Sequence, residues 1–427
     1  MDIKKYEGVI PAFYACYDDE GKISPKRVRA FTRYLIGKGV NGLYVGGSSG
    51  ECIYHSVAER KIVLENVMVE AAGKITVIAH VACNNTADSQ DLAAHAESVH
   101  VDAIAAIPPI YFHLPPYGIA DYWNDISAAA PNTDFIIYNI PQLAGVALTM
   151  PLLKEMRKNP RVIGVKNSSA ATQDIQMWKD EGGADFVVMN GPDEQFVSGL
   201  AMGATGGIGG TYAVMPELFI KARKLFYDGK VKDAYLVQNE ICRIIYKICE
   251  AHGNLYAVQK SILARKGILC GGVRKPLPAL IESDLPIVNE AAAMIRKADS
   301  AQKAALLLRT AQLKWRLGGE ARAREPVERL KEYIQEHLSG PLSLNSLSKQ
   351  AGFSATYLSA LFKSETGEGI KQYIIRVRLE RAAGLLRSTN DRIYEIAEKC
   401  GFESTRHFSE TFARVYGMTP KKYRRRE

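Results

Sequence analysis

The chain has 427 residues, of which 47% are hydrophobic and 24% charged, and it contains 35 glycines and 18 prolines. This composition excludes a disordered chain, a collagen and a coiled-coil fibre as descriptions of the whole, and the length indicates more than one domain. The net charge of +9 lies entirely beyond residue 298, because residues 1–298 hold 31 Lys and Arg against 31 Asp and Glu. Such an asymmetry indicates either a nucleic-acid-binding module attached to a neutral body or a basic solvated surface.

The cysteines and histidines show no pattern of a structural metal site or a disulfide framework. The seven cysteines are scattered without a CxxC pair, and the eight histidines include no HExxH. The N-terminal segment lacks the apolar stretch of a signal peptide, and no run reaches the roughly 18 apolar residues that span a membrane. We therefore expect a cytoplasmic protein with no membrane association and no bound metal.

The first 210 residues alternate short apolar runs with longer amphipathic segments. The apolar runs cover residues 8–17, 42–47, 75–81, 102–109, 135–141, 162–169, 186–191 and 205–212. Ser24 and Ser56 precede amphipathic segments that end at Gly39 and Gly73, as expected for N-caps and helix ends. Eight such units with continuous apolar strands predict an α/β fold, a parallel (β/α)8 TIM barrel. An open, doubly wound sheet is the alternative that the same pattern allows.

The rest of the chain has helical patterns. Residues 216–298 form a helical extension of the barrel with no further strand pattern. Residues 299–325 are rich in Ala, Leu and Arg and predict a helical linker broken at Gly318-Gly319. We therefore divide the chain into a barrel domain, a linker and an all-α domain, at residues 1–298, 299–325 and 326–427.

The all-α segment contains an internal repeat. The sequence LSKQAGFSATYLSALFKSETG (347–367) matches IAEKCGFESTRHFSETFARVYG (396–417). Each copy has a short helical stretch, a Gly-Phe turn and a second amphipathic stretch, which is typical of a helix-turn-helix.

Two polar side chains stand at the carboxyl ends of neighbouring barrel strands, where catalytic residues of such barrels lie. Lys166 follows the apolar VIGV, so its amine should face the barrel mouth, where a desolvated amine loses proton affinity and can attack a carbonyl. Tyr138 ends the preceding strand and could transfer protons beside it. The alternatives are a salt-bridged surface lysine and a tyrosine that only packs.

Two glycine-rich segments follow strands. GGSSGE (46–51) offers two hydroxyls and backbone N–H groups just before a helix, which suits a bound carboxylate. GGIGGTY (206–212) does not fit GxGxxG, so a dinucleotide site is not expected there.

The order of GGSSGE (46–51), YNIP (138–141) and the strand-ending Lys166 resembles the N-acetylneuraminate lyase and dihydrodipicolinate synthase family of class I aldolases. The resemblance covers about residues 5–298. It implies that the reaction runs through a covalent lysine Schiff base with pyruvate and needs no separate cofactor.

The resemblance also implies a role for individual residues. Lys166 would form the Schiff base, and Tyr138 would be the general acid and base. Ser48 and Ser49 would hold the pyruvate carboxylate, with Ser49 also linking Tyr138 to Tyr111. Tyr111 would reach into the site of a neighbouring subunit, as in the tetramers of this family.

Other positions favour one branch of that family. Leu143 stands where the synthase branch has an arginine, so the synthase reading is disfavoured. Gly191, Asp193 and Glu194 match the lyase motif that binds the polyol of a sugar acid, and Ser168 keeps a hydroxyl where lyases have threonine. Charged acceptors suit hydroxyl-rich ligands.

Two departures leave the identity of the sugar open. Pro192 stands where lyases usually have an aromatic residue, and Gly210 where they usually have a polyol-binding serine. A structural reading also remains for Asp193 and Glu194, because acidic residues stabilise a helix N-terminus.

The repeat, with MTPKKYRR after it, resembles the AraC/XylS family of DNA-binding domains over about residues 326–425. That resemblance implies two recognition helices in neighbouring major grooves of double-stranded promoter DNA. The buried positions should be Leu358, Leu361, Phe362, Phe408 and Phe412. The positions that face bases should be Thr356, Ser359, Ala360, Thr405, Arg406, His407, Ser409 and Glu410. The expected phosphate contacts are Lys363, Arg414, Lys421, Lys422 and Arg424. A solvated helix face is the alternative for any one of them.

Several functions fit the sequence. The first is a lyase that cleaves N-acetylneuraminate to pyruvate and N-acetylmannosamine, fused to a transcription regulator. The second is a regulator whose barrel only binds the sugar acid. The third is a lyase for another 2-keto-3-deoxy acid, and the fourth a fusion in which only one half matters. The complete set of Lys166, Tyr138 and Ser49 favours retained chemistry, since a pure sensor could lose the amine.

Overall fold

The computed structural model describes residues 3–299, 321–340, 342–351 and 353–425. They divide into two compact units, one ending at Asp299 and one in the remainder of the chain. The domain boundaries at residues 298 and 326 stay predictions, and so does the linker, because the Gly318-Gly319 break lies outside the described residues.

The first unit is a closed barrel of eight parallel strands in the order β1-β8-β7-β6-β5-β4-β3-β2. Strands β1 to β8 are Gly8–Pro11, Gly42–Val45, Thr76–His80, Ala103–Ala106, Asp134–Asn139, Val162–Asn167, Val187–Asn190 and Gly206–Gly209. Strand β1 pairs with β8, and a parallel bridge from Ala12 to Tyr44 joins β1 to β2. The predicted TIM barrel is therefore confirmed, and the alternative of a doubly wound open sheet is wrong.

Helices follow the strands where the amphipathic segments predict them. Their bounds are Pro25–Gly37, Val57–Ala71, Thr86–Ser98, Pro116–Ala128, Pro141–Ala144, Met150–Met156, Gln173–Gly182, Phe196–Ala201, Pro216–Tyr227, Val231–Cys249, Leu255–Ala264 and 285–299. Ser24 and Ser56 are N-caps as predicted, and Ser56 forms a capping box with Glu59. Short 3-10 turns lie at Ile3–Tyr6, Ser48–Gly50, Cys52–Tyr54, Asp193–Gln195 and Glu282–Asp284.

Alternation along the strands separates two cores. One core fills the space between strands and helices. The smaller one fills the barrel interior with the inward-facing residues Tyr6, Ile10, Tyr44, Ile78, Ala103, Ala105, Ile136, Tyr138, Ile163, Val187, Met189 and Ile208. Side chains along a strand point to alternate faces of the sheet, so every second residue faces the barrel interior. The last inward-facing residue of each strand therefore lies at the mouth of the barrel.

The second unit consists of helices at Ala321–Glu336, Leu344–Ala351, Ala355–Thr366, Ile370–Ser388, Ile393–Lys399, Thr405–Tyr416 and Pro420–Arg424. Each copy of the repeat forms a helix-turn-helix, and the long helix Ile370–Ser388 contributes to the hydrophobic clusters of both. Leu358, Phe362, Phe408 and Phe412 are at most 1% exposed as predicted, whereas Leu361 is only partly buried. In the parts of the chain that the structure describes, no helix is long and apolar enough to cross a membrane.

Candidate active site and helix-turn-helix surface

Lys166 lies at the centre of the barrel mouth in a desolvated position. Lys166 is part of strand β6 and is paired in register with Tyr138 of β5. The residue is 4% exposed. The distance from Nζ to the ring centroid is 3.7 Å for Tyr138 and 4.2 Å for Tyr44. Burial lowers the pKa of Lys166 to about 7, while the charge of Asp193 acts in the opposite direction. A neutral, nucleophilic amine is therefore abundant at neutral pH.

Tyr138 is placed to exchange protons beside that amine. Its side chain is buried, and burial raises the pKa of Tyr138 to about 12. Hydrogen bonds with Ser48 and Ser168 act to lower that pKa. The structure therefore brings Ser48, Tyr138, Lys166 and Ser168 together, with a protonated phenol next to the amine.

The GGSSGE segment turns sharply after β2 and places its serines at the mouth. Gly47 is needed there, because a Cβ at this position would lie 2.6 Å from Cε1 of Tyr44. Ser48 to Gly50 form a 3-10 turn that ends at Glu51 with a left-handed φ of 54°. Ser49 is 5% exposed, and its hydroxyl lies 3.4 Å from the hydroxyl of Tyr256.

Asp193 is anchored to the protein through one carboxylate oxygen. Its Oδ2 accepts hydrogen bonds from the backbone N–H and the hydroxyl of Thr211, both at 2.6 Å. Within the described residues its buried Oδ1 has no hydrogen-bond partner. Burial raises the pKa of Asp193 to about 7, and the Thr211 hydrogen bonds oppose that rise. The charged carboxylate of Asp193 raises the pKa of Lys166 and so favours the protonated amine.

The other predicted sugar-binding positions lie at the ends of β7 and β8. Gly191 allows a close approach of two strand ends, because a Cβ there would lie 2.1 Å from Oγ of Ser168. Glu194 is exposed one residue beyond the buried Asp193. Gly210 is fixed through its carbonyl oxygen, which accepts a hydrogen bond of 2.5 Å from the hydroxyl of Tyr14.

Tyr111 does not join this group within the single chain. It is 87% exposed, has a left-handed φ of 83° and packs its ring against Phe112. The linkage of Tyr138 to Tyr111 through Ser49 is therefore not formed inside one subunit, and a role in a neighbouring site stays a prediction.

The sequence interpretation missed several residues of the site. Tyr44 and His80 face the barrel interior around Tyr138, with ring centroids 5.7 and 5.9 Å from its ring. Both lie at alternate positions near the ends of β2 and β3, so the period of two could have identified them. Tyr256 comes from the helical extension, where no local pattern indicates an active-site residue.

A buried arginine holds the end of β3 next to these rings. Arg60 is 7% exposed and donates to the carbonyl oxygens of His80, at 2.6 Å, and Ala82, at 2.8 Å. Burial and the Arg60 charge hold the pKa of His80 well below its usual range, so this imidazole is neutral.

A buried ion pair joins the GGSSGE turn to the helical extension. Oε1 of Glu51 accepts from Nζ of Lys260 at 2.6 Å, and the two side chains are 0% and 1% exposed. Oε2 of Glu51 accepts from the hydroxyl of Tyr17 at 2.9 Å and from the backbone N–H of Arg274 at 2.8 Å. The turn that carries Ser48 and Ser49 is thus fixed in part by Lys260 and Arg274, which lie 209 and 223 positions away from Glu51.

The second helices of the two repeat copies carry the predicted DNA-facing side chains. Ser354 and Ser404 cap them. The exposed members of the predicted set are Thr356, Lys363, Thr405, Arg406, His407, Glu410, Arg414, Lys421 and Lys422, and the half-buried ones are Ser359, Ala360, Ser409 and Arg424. Arg406 pairs with Glu410 at 2.9 Å, and Arg424 donates to the carbonyl oxygen of Asp391 at 2.6 Å.

No group of three or more His, Cys, Asp and Glu side chains in the described ranges could hold a metal ion.

Comparisons with known proteins divide the chain in the same way. The dihydrodipicolinate synthetase family model matches residues 5–295, and a helix-turn-helix domain model matches residues 347–426. The N-acetylneuraminate lyase of Mediterraneibacter gnavus is 65% identical over 295 residues, which are 69% of this chain and 94% of that protein. The N-acetylneuraminate lyase of Salmonella agona is 35% identical over 290 residues, 67% of this chain and 96% of that protein.

Solved structures agree with the sequence relatives. The wild-type sialic acid aldolase of Ruminococcus gnavus has a TM-score of 0.69 and 65% identity, and it covers 70% of this chain and 99% of its own. A catalytic lysine mutant of the same aldolase matches with a TM-score of 0.70 and 64% identity over the same shares. The barrel of this chain is therefore homologous to N-acetylneuraminate lyases, and the chain belongs to the dihydrodipicolinate synthetase family and carries a helix-turn-helix domain beyond its barrel.

Proposed function

We propose that the barrel is a class I aldolase that cleaves N-acetylneuraminate to pyruvate and N-acetylmannosamine, using Lys166 and no separate cofactor. The observation that carries the proposal is the buried amine of Lys166, with a pKa lowered to about 7, beside the phenol of Tyr138. The similarity to an aldolase whose structure is known with its catalytic lysine replaced supports it.

The residues suggest how the reaction proceeds. The neutral amine of Lys166 attacks the keto carbon of the substrate, and water leaves to form a protonated Schiff base. Tyr138 supplies the proton with which the hydroxyl departs as water, and the resulting phenolate accepts the proton of the C4 hydroxyl while the C3–C4 bond breaks and the Schiff base takes up the electron pair. Protonation at C3 and hydrolysis release pyruvate. Ser48 and Ser49 are proposed to hold the carboxylate of the keto acid.

The sugar portion is proposed to bind along Ser168, Gly191, Asp193, Glu194 and Gly210. Asp193 has one carboxylate oxygen occupied by Thr211, whereas Glu194 is exposed at the rim. Glu194 is therefore better placed to accept a hydrogen bond from the polyol tail. With a glycine at position 210, the proposed substrate class is a sugar acid, and the alternative is a related 2-keto-3-deoxy acid.

Trapping of the Schiff base tests this chemistry. Pyruvate with borohydride should add mass at Lys166, as mapped by peptide mass spectrometry. Since the pKa of Lys166 is lowered to about 7, the neutral amine predominates above that pH, and the initial rate of labelling should rise through pH about 7 and fall below it. Labelling elsewhere, or a midpoint near the ordinary lysine pKa, would contradict the proposal.

For the helix-turn-helix domain we propose sequence-specific binding to double-stranded DNA. The duplicated second helices present exposed polar side chains on one face and bury Phe362 and Phe412 on the other. Basic residues at Lys421 and Lys422 are exposed near the second copy and suit phosphates. We also propose that the barrels assemble into a tetramer, so that each particle carries several DNA-binding domains.

Arg406 is the proposed reader of a guanine. Its pair with Glu410 is exposed on both sides and therefore opens at little cost, which frees the guanidinium for a bidentate contact. Replacing Arg406 by alanine in the full chain should weaken binding to a promoter fragment by about 10- to 100-fold and random DNA much less. The matched control is Lys421→Ala, which should weaken both alike. Equal losses for Arg406→Ala on both DNAs in a gel-shift assay would exclude base reading.

A further inference from the structure

Tyr256 lies in the candidate active site although it belongs to the helical extension. It sits near the start of the helix Leu255–Ala264 and remains partly exposed, while its hydroxyl accepts a hydrogen bond of 3.4 Å from Oγ of Ser49. Burial raises the pKa of Tyr256 to about 12, and the neighbouring Tyr138 and Asp193 contribute in the same direction. The phenol is therefore protonated at neutral pH and can both donate and accept a hydrogen bond.

Position 210 and Tyr256 occupy the same side of Ser49. A Cβ at Gly210 would lie 3.2 Å from Oγ of Ser49 and 3.7 Å from Cε1 of Tyr256. A serine at position 210 would thus bring a second hydroxyl to the place where the phenol of Tyr256 meets Ser49. With glycine at position 210, the hydroxyl beside Ser49 comes from the phenol of Tyr256.

Two other residues of the same helix anchor it beside Tyr256. The side-chain amide of Gln259 is hydrogen-bonded to the hydroxyl of Tyr14, which donates its one hydrogen to the carbonyl oxygen of Gly210. One residue further, Lys260 forms the buried ion pair with Glu51. The helix, the Gly210 segment and the GGSSGE turn are thus fixed against one another around the Tyr256 ring, as a binding site requires.

We propose that Tyr256 supplies the ligand-binding hydroxyl that the side chain of residue 210 lacks. The ligand class is a polyhydroxylated 2-keto acid, and one of its hydroxyls bonds to the phenol beside Ser49. This inference rests on the proposed function and adds the residue through which this site distinguishes its sugar. The hydroxyl of Tyr256 then replaces the hydroxyl that a serine at position 210 would provide, so the glycine does not cost the site a ligand contact.

The test measures ligand binding separately from catalysis. In the Lys166→Ala background, calorimetry should show that Tyr256→Phe weakens binding of N-acetylneuraminate by roughly tenfold, the loss expected for one hydrogen bond. Adding Gly210→Ser to that variant should restore most of the affinity, because it returns a hydroxyl to the same place. Gly210→Ala is the matched control and should restore none, because it adds only the Cβ.

The outcomes separate this inference from the proposed function. If the full chain releases pyruvate but Tyr256→Phe leaves the affinity for N-acetylneuraminate unchanged, the inference is overturned and the proposed function is not. Loss of affinity without pyruvate release by the unmodified chain would overturn the proposed function and leave Tyr256 as a ligand-binding residue. Equal rescue by serine and alanine at position 210, or no binding to the Lys166→Ala parent, would overturn the inference. Thermal unfolding of each variant checks that the barrel is folded.

Discussion

Replacing Lys166 by alanine should reduce pyruvate release from N-acetylneuraminate by about 10⁴-fold or more, the scale seen when a covalent nucleophile is removed. The amine is the nucleophile that the mechanism needs, and the residues around it cannot take its place, because Tyr44 and His80 are buried neutral groups that hold its position. The measurement is pyruvate formation by the full chain and by the variant, coupled to lactate dehydrogenase. Binding of the sugar acid should survive, since the predicted contacts to carboxylate and polyol remain.

Two controls make the result specific. Lys154→Ala removes an exposed lysine on the outside of the barrel and should leave the rate unchanged. Tyr138→Phe should slow pyruvate release more than it slows borohydride labelling of Lys166 by pyruvate, because labelling needs one proton transfer from the phenol and release needs several. If the unmodified chain binds the sugar acid but releases no pyruvate, the barrel is a sensor.

The fold and the centre of the site followed from local patterns. Eight apolar runs predict the strands because parallel strands buried on both faces lack polar alternation. Lys166 and Tyr138 could be placed at the mouth because each lies next to the last residue of its strand, and the carboxyl ends of barrel strands share one face. The helix-turn-helix repeat was visible because the same glycine-phenylalanine turn and the same apolar stripe occur twice.

The remaining parts of the site depend on contacts between distant segments. Tyr256 meets Ser49 across 207 positions, and Lys260 meets Glu51 across 209. No local period predicts such contacts, because they are set by how the helical extension packs on the barrel mouth. The two carboxylates that we propose for sugar binding also could not be distinguished from the sequence, where Asp193 and Glu194 are neighbours, whereas in the structure Asp193 is buried and Glu194 is exposed.

The ion pair between Glu51 and Lys260 should be a large contributor to the stability of the barrel. Replacing Lys260 by methionine fills its space but leaves the buried carboxylate of Glu51 without its cation. Breaking a fully buried pair in this way costs about 3–5 kcal/mol, because the desolvation of the remaining charge is no longer compensated. The hydroxyl of Tyr17 and the N–H of Arg274 still bond to Glu51, so the lower end of that range is expected.

Thermal unfolding followed by far-ultraviolet circular dichroism measures this effect, and the midpoint of the barrel transition should fall by roughly 10 °C. Lys247→Met is the matched control, because Lys247 pairs with Glu250 and Glu290, which are 53% and 59% exposed. Solvent screens such pairs, so that midpoint should hardly move. Equal midpoints for the two variants would show that the Glu51 carboxylate is not stabilised by Lys260. A large fall in the unfolding midpoint for Lys260→Met but not for Lys247→Met would show that the charge of Lys260 stabilises the barrel. The helical extension would then hold the GGSSGE turn, with Ser48 and Ser49, through this ion pair.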